Sequence, residues 1–171
     1  NSQNTSINTP DDLLAALADG KEMSNSSFRY TWKNEQKDAL VDTFRTIEGP
    51  DKNRLAAFIA SSNIDLTLAV KGEALEHLLN APELPEAPDW KKDDNRAANN
   101  AVSRHALNLM NTDSSKATSW LARLPEGPVR LQAQKNLAYN WRNYEPDAAQ
   151  QWVDSLPASE KAEITKFLGS K

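Results

Sequence analysis

Trp120 and Trp152 stand 32 residues apart in matching surroundings, Ala117-Thr118-Ser119-Trp120-Leu121-Ala122-Arg123-Leu124-Pro125 against Ala149-Gln150-Gln151-Trp152-Val153-Asp154-Ser155-Leu156-Pro157. In each copy Ala precedes the Trp by three residues and Leu-Pro follows it. A period of this length belongs to stacked helical hairpins, where each unit is one supersecondary element that cannot bury its apolar face alone. The fuller unit reads Arg130, Ala133, Leu137-Ala138, Trp141, Pro146-Asp147-Ala148-Ala149, Trp152 and Leu156-Pro157. Alanines let two helices approach closely, Trp fills the gap between hairpins, and Leu-Pro covers the core and stops the helix. Counting back one period places Ala101, Ala106 and Leu109 in a preceding, degenerate unit. Ile47-Glu48-Gly49-Pro50 before Arg54 is a fainter echo of Leu124-Pro125-Glu126-Gly127-Pro128 before Arg130.

Helix punctuation extends along the rest of the chain. Thr9-Pro10-Asp11-Asp12 supplies a capping hydroxyl, a proline at the first helical position and first-turn carboxylates, and the helix through Leu13, Leu14 and Leu17 should stop at Gly20. Residues 21–31 read as a polar surface loop anchored by Phe28 and Tyr30. Leu40, Phe44 and Ile47 recur at helical spacing, Gly49-Pro50 opens a helix carrying Leu55, Phe58 and Ile59, and a third runs from about Asp65 to Leu79. Pro82, Pro85 and Pro88 enforce an extended connector, and Trp90 at its end should dock onto the core. Beyond it lie a helix from about Asp93 to Met110, a first Trp helix capped by Ser114, one from Pro128 to Trp141, a second Trp helix from Pro146, and a last one capped by Ser159.

Period-two alternation is missing, so the reading is all-α: eight or nine helices, about two-thirds of the residues, stacked as antiparallel hairpins in a short α-solenoid or irregular bundle. The parts are an N-terminal helix and loop (1–31), a front half (32–81), a Pro-rich connector (82–92) and rear repeats (93–171), expected to form one structural domain. The hydrophobic share of 39% suits the thin core of such an array.

Net charge is −4 with both signs spread along the chain, which argues against nucleic acid. No apolar run approaches a membrane span. Cysteine is absent, excluding disulfides, thiol nucleophiles and thiolate metal sites. The opening Asn1-Ser2-Gln3-Asn4-Thr5-Ser6 is of the kind that follows a removed signal peptide or a cut from a longer protein, and points to a periplasmic or extracellular location.

The Trp, Leu-Pro and Pro-x-Ala-Ala-x-x-Trp elements resemble the tandem helical repeats of uncharacterised exported bacterial proteins. They are similar in plan to tetratricopeptide-like hairpins, but the spacing is shorter and the Leu-Gly and Tyr positions of that consensus are missing. The resemblance covers Asp93 to Leu168. It implies an architecture and protein binding, and no catalytic residue, since function on a shared fold must be argued from a site.

Chemistry-bearing candidates are few. Glu73 and His77, four apart on a helix, have the geometry of a two-ligand metal pair but no third ligand of matching spacing; a solvent-facing ion pair explains them as well. His105, between Val102 and Leu109, reads as a core histidine. Most carboxylates sit in first turns, where helix charge preference accounts for them. No Gly-x-Ser-x-Gly elbow, Ser-x-x-Lys pair or phosphate loop is present. No catalytic residue, cofactor or metal is therefore expected.

Of the aromatic set Trp90, Trp120, Trp141, Trp152, Tyr139 and Tyr144, the tryptophans at fixed spacing read as core and the tyrosines as surface. With Arg123, Arg130 and Arg142 flanking the same hairpins, the partner-binding candidates are Arg123, Arg130, Tyr139 and Tyr144. The expectation is a non-enzymatic helical-repeat module that binds a protein or peptide. A domain acting on cell-wall glycan and the extracytoplasmic sensor part of a signalling protein are the alternatives.

Overall fold

The computed structural model describes residues 7–20, 32–61, 65–81 and 83–170. Among them are nine α-helices and one 3-10 turn; 79% of these residues are helical and none is in a strand. The fold is all-α. The expected 21–31 loop, with Phe28 and Tyr30, lies outside the described residues. The chain divides into two compact units at Trp90 and Lys91, within the proline-rich connector.

The front unit holds α1 (Pro10–Ala18), α2 (Asn34–Thr46), α3 (Pro50–Ser61), α4 (Leu68–Asn80) and the 3-10 turn Pro88–Lys91, which runs to the boundary. Thr9 caps α1 through its hydroxyl, which accepts from Asp12 N–H at 3.1 Å. Trp32 and Gln36 donate side-chain N–H groups to the carbonyls of Ile7 and Asn8, tying the segment before α1 to α2. Helices α1, α2 and α4 pack on α3, because its Leu55, Ala56, Phe58 and Ile59 are all buried; Leu13, Leu40, Phe44, Val70, Leu75 and Leu78 complete that core. Helix α4 starts three residues later than its apolar pattern suggests, because the Thr67 hydroxyl, not Asp65, caps it by accepting from Val70 N–H.

The rear unit holds α5 (Lys92–Thr112), α6 (Ser114–Arg123), α7 (Pro128–Trp141), α8 (Pro146–Ser155) and α9 (Ala158–Gly169). Helix α7 packs against α5 on one side and α9 on the other, while α6 lies mainly on α5 and α8 bridges α7 and α9. The bounds of α8 are those of α6 moved by one sequence period, and both helices end on an extended Leu, Leu124 or Leu156, whose N–H bonds the residue three before it. Burial follows the same register: Ala117 and Ala149, Leu121 and Val153, and Ala106 and Ala138 are all buried.

The front-half echo is also local structure. Gly49 and Gly127 each precede a Pro-initiated helix with positive φ, and φ +153 at Gly127 is a conformation that essentially only glycine adopts.

Three further details differ from the sequence reading. Asp113, not Ser114, caps α6, its carboxylate accepting from Ser115 N–H at 2.9 Å and Ser115 Oγ at 2.7 Å; a negative charge at a helix N-terminus is favoured besides. Pro157, not Ser159, occupies the cap position of α9. The α5 start is not a regular helical turn: Asp93, Asp94 and Asn95 have φ of +53, +55 and +64, a left-handed turn built from residue types that tolerate it.

Candidate interaction surface

The four sequence candidates separate in the structure. Arg130, in the first turn of α7, points inward. Its guanidinium reaches Glu160 of α9 at 2.5 Å, with side-chain exposures of 11% and 12%, and donates to the Leu124 carbonyl at 2.8 Å. It ties the end of α6 to the start of α9 and is not available to a partner. Its type and position suggested a surface role, but a guanidinium is always charged, and one desolvated this far needs a buried carboxylate to offset the cost of burial.

Tyr139 and Tyr144 are the exposed large hydrophobic residues among those described, at 39% and 83%; Tyr139 is in the last turn of α7 and Tyr144 in the turn that follows the helix. Tyr139 packs edge-on against Phe167 of α9, centroids 6.4 Å apart. Arg142 lies 4.9 Å above the Tyr139 ring and donates to the Leu168 carbonyl at 3.1 Å. Lys135 stands 5.8 Å over Phe167. Lys135, Tyr139 and Arg142 are spaced i, i+4 and i+7, so one face of α7 presents them together toward α9. Arg142, which the sequence put only beside the hairpins, is thus the cation at the centre of the patch. Arg123 is exposed in the last turn of α6, on a different helix from the tyrosines.

The repeated tryptophans are not equivalent. Trp120 is 2% exposed and meets the edge of His105 at 4.5 Å. Trp152 is only half-buried; it leans on Trp141 at 5.9 Å with the rings tilted by 44° and borders the cluster of Ala138, Val153 and Ile164. One period after His105 stands Leu137, so the imidazole that meets Trp120 has no counterpart at Trp152. His105 is buried, in keeping with a core histidine.

In the front unit, Glu73 and His77 are drawn to different partners. Glu73 receives both an Nε and an Nη2 bond from Arg45 at 3.1 Å, an ion pair between half-exposed side chains. His77 Nε2 meets Asn53 Oδ1 at 2.7 Å, and Asn53 Nδ2 donates to Glu86 at 3.0 Å. Burial, and then the Lys52 charge, hold the His77 imidazole below its ordinary pKa. Glu86 is held below the usual carboxylate range chiefly by the Asn53 bond. No motif in the sequence signals this chain of three, because an amide bridge joins residues on α3, α4 and the connector with no fixed spacing. Among the described residues no three His, Cys, Asp or Glu side chains gather as a metal site, and no helix is long and apolar enough to cross a membrane.

The other displaced carboxylates also move down. Ser115 lowers Asp113 through side-chain and backbone bonds, and Gln150, then Lys161, lower Asp154. A general acid needs the opposite displacement. Comparison with protein families, characterised proteins and solved structures finds no match.

Proposed function

We propose that this protein is a helical-repeat module, acting outside the cytoplasm, that binds a protein or peptide through the rear unit. The observation that carries the reading is the exposure of two large aromatics close in sequence, Tyr139 in the last turn of α7 and Tyr144 just beyond it, with Arg142 lying over the Tyr139 ring. Aromatic and Arg side chains dominate interface energetics, and a ring already held by its neighbours loses little freedom on binding. The matching bounds of α6 and α8 support the tandem-hairpin plan, an architecture suited to presenting such side chains on a rigid frame.

Site-specific photo-crosslinking tests this in cells that make the protein. A benzophenone side chain at position 144 should give discrete protein adducts, and the same probe at exposed Asn111, on α5, should not. Equal labelling at both positions refutes the surface. Glycan hydrolysis by the purified protein, abolished by one Asp or Glu substitution, refutes the non-enzymatic reading.

A further inference from the structure

The patch at the end of α7 also carries information about the partner's charge. Resting on the binding role above, we propose that it accepts an acidic peptide segment, whose carboxylates meet Arg142 and Lys135 while an apolar side chain lies against Tyr139 and Tyr144. Neither cation has a carboxylate partner among the described residues: Arg142 bonds the Leu168 carbonyl and covers Tyr139, and Lys135 covers Phe167. Two acids of α8 and α9 are used elsewhere, Glu160 by Arg130 and Asp154 by Lys161.

The Arg142 guanidinium has five N–H donors in a fixed fork, and one carbonyl consumes only part of them. Because the ring beneath and the α9 carbonyl already orient it, a carboxylate arriving from solvent finds a positioned donor set. Glu145 beside Tyr144, and Glu163 one turn before Phe167 on α9, are exposed carboxylates bordering the patch. They limit the match to spaced carboxylates and disfavour a continuous polyanion such as a nucleic-acid backbone. The charge balance agrees, since Lys and Arg outnumber Asp and Glu in the rear unit although the whole chain carries −4.

The test is selection of a phage-displayed random dodecapeptide library on the immobilised full chain, followed by fluorescence anisotropy with the recovered peptides made synthetically. Recovered sequences should be enriched in Asp and Glu over the input. Their affinity should fall about tenfold or more in Arg142→Gln and in Tyr144→Ala; the second residue is 83% exposed, so its loss leaves the fold intact. Neutral or basic peptides that still lose affinity in Tyr144→Ala overturn the acidic assignment and leave the binding role standing. Acidic peptides indifferent to both variants overturn the site, and peptides indifferent to every substitution in the rear unit overturn the binding role as well. Recovery of no peptide, or concentration-dependent self-association abolished by Arg142→Gln, also overturns the proposal, the latter by identifying a second copy as the occupant.

Discussion

Removing either partner of the Arg130–Glu160 pair should unfold the rear unit far more readily than removing both. The two side chains are 11% and 12% exposed, so Glu160→Ala leaves a guanidinium in a site that excludes most water, and Arg130→Ala leaves a carboxylate there. Breaking a buried pair from one side costs about 3–5 kcal/mol. Here Arg130 Nε and Glu160 Oε2 are buried without partners, so the native pair is incompletely satisfied and the cost falls at about 3 kcal/mol, the low end. Arg130 keeps its Leu124 carbonyl in the Glu160 variant, which makes Glu160→Ala the milder of the two. Replacing both by apolar residues of similar volume, Arg130→Met with Glu160→Leu, removes charge and orphan atoms together and should restore stability to within about 1 kcal/mol of the parent. Urea denaturation followed by far-ultraviolet circular dichroism measures the stability of all four proteins. Single-variant costs below about 1 kcal/mol refute the buried-pair assignment and return Arg130 to the surface.

Three further outcomes follow from the packing and the titrations. Trp120→Ala should cost about 3–5 kcal/mol, and Trp152→Ala measurably less; single-tryptophan variants should show only Trp152 open to acrylamide, and equal quenching of the two contradicts the burial difference. The front unit should lose stability as pH falls below about 6.5, because the unfolded chain protonates His77 before the folded one does; the loss continues down to the lowered folded pKa, and His77→Gln should flatten that part of the stability profile. Asp94→Gly should raise the unfolding midpoint while Asp94→Ala lowers stability by about 1 kcal/mol, since only glycine sits in the left-handed turn without strain; the reverse order excludes that turn.

Much of the helix order was legible because proline and glycine mark it with little ambiguity. Pro10, Pro50, Pro128 and Pro146 each open a helix, as their fixed φ and missing donor require. Caps were less legible where several small polar residues adjoin, as at Asp113-Ser114-Ser115, since each side chain can accept the same orphan N–H and tertiary placement decides. The run Asp93-Asp94-Asn95 looked like first-turn acids, although the same residue types also tolerate positive φ. Of the site, the tyrosines were readable as polar-tipped rings off the alanine seam. Arg130 was not, because its partner Glu160 is brought to it by the packing of α7 on α9. Sequence marks a charge but not the water around it.

The proposed tandem unit, read from a sequence pattern that recurs after 32 residues, is tested most directly by duplication. A second copy of residues 126–157 inserted after Pro157 adds one α7–α8 hairpin, and circular dichroism with urea denaturation reads the result. If the hairpin is the building block, the longer chain stays soluble, keeps its mean residue ellipticity, and unfolds at the same or a higher denaturant midpoint, because the added copy brings its own apolar face and a matching neighbour. A fall in mean residue ellipticity, or unfolding of the rear unit at lower denaturant than the parent, would contradict a repeat built on that period.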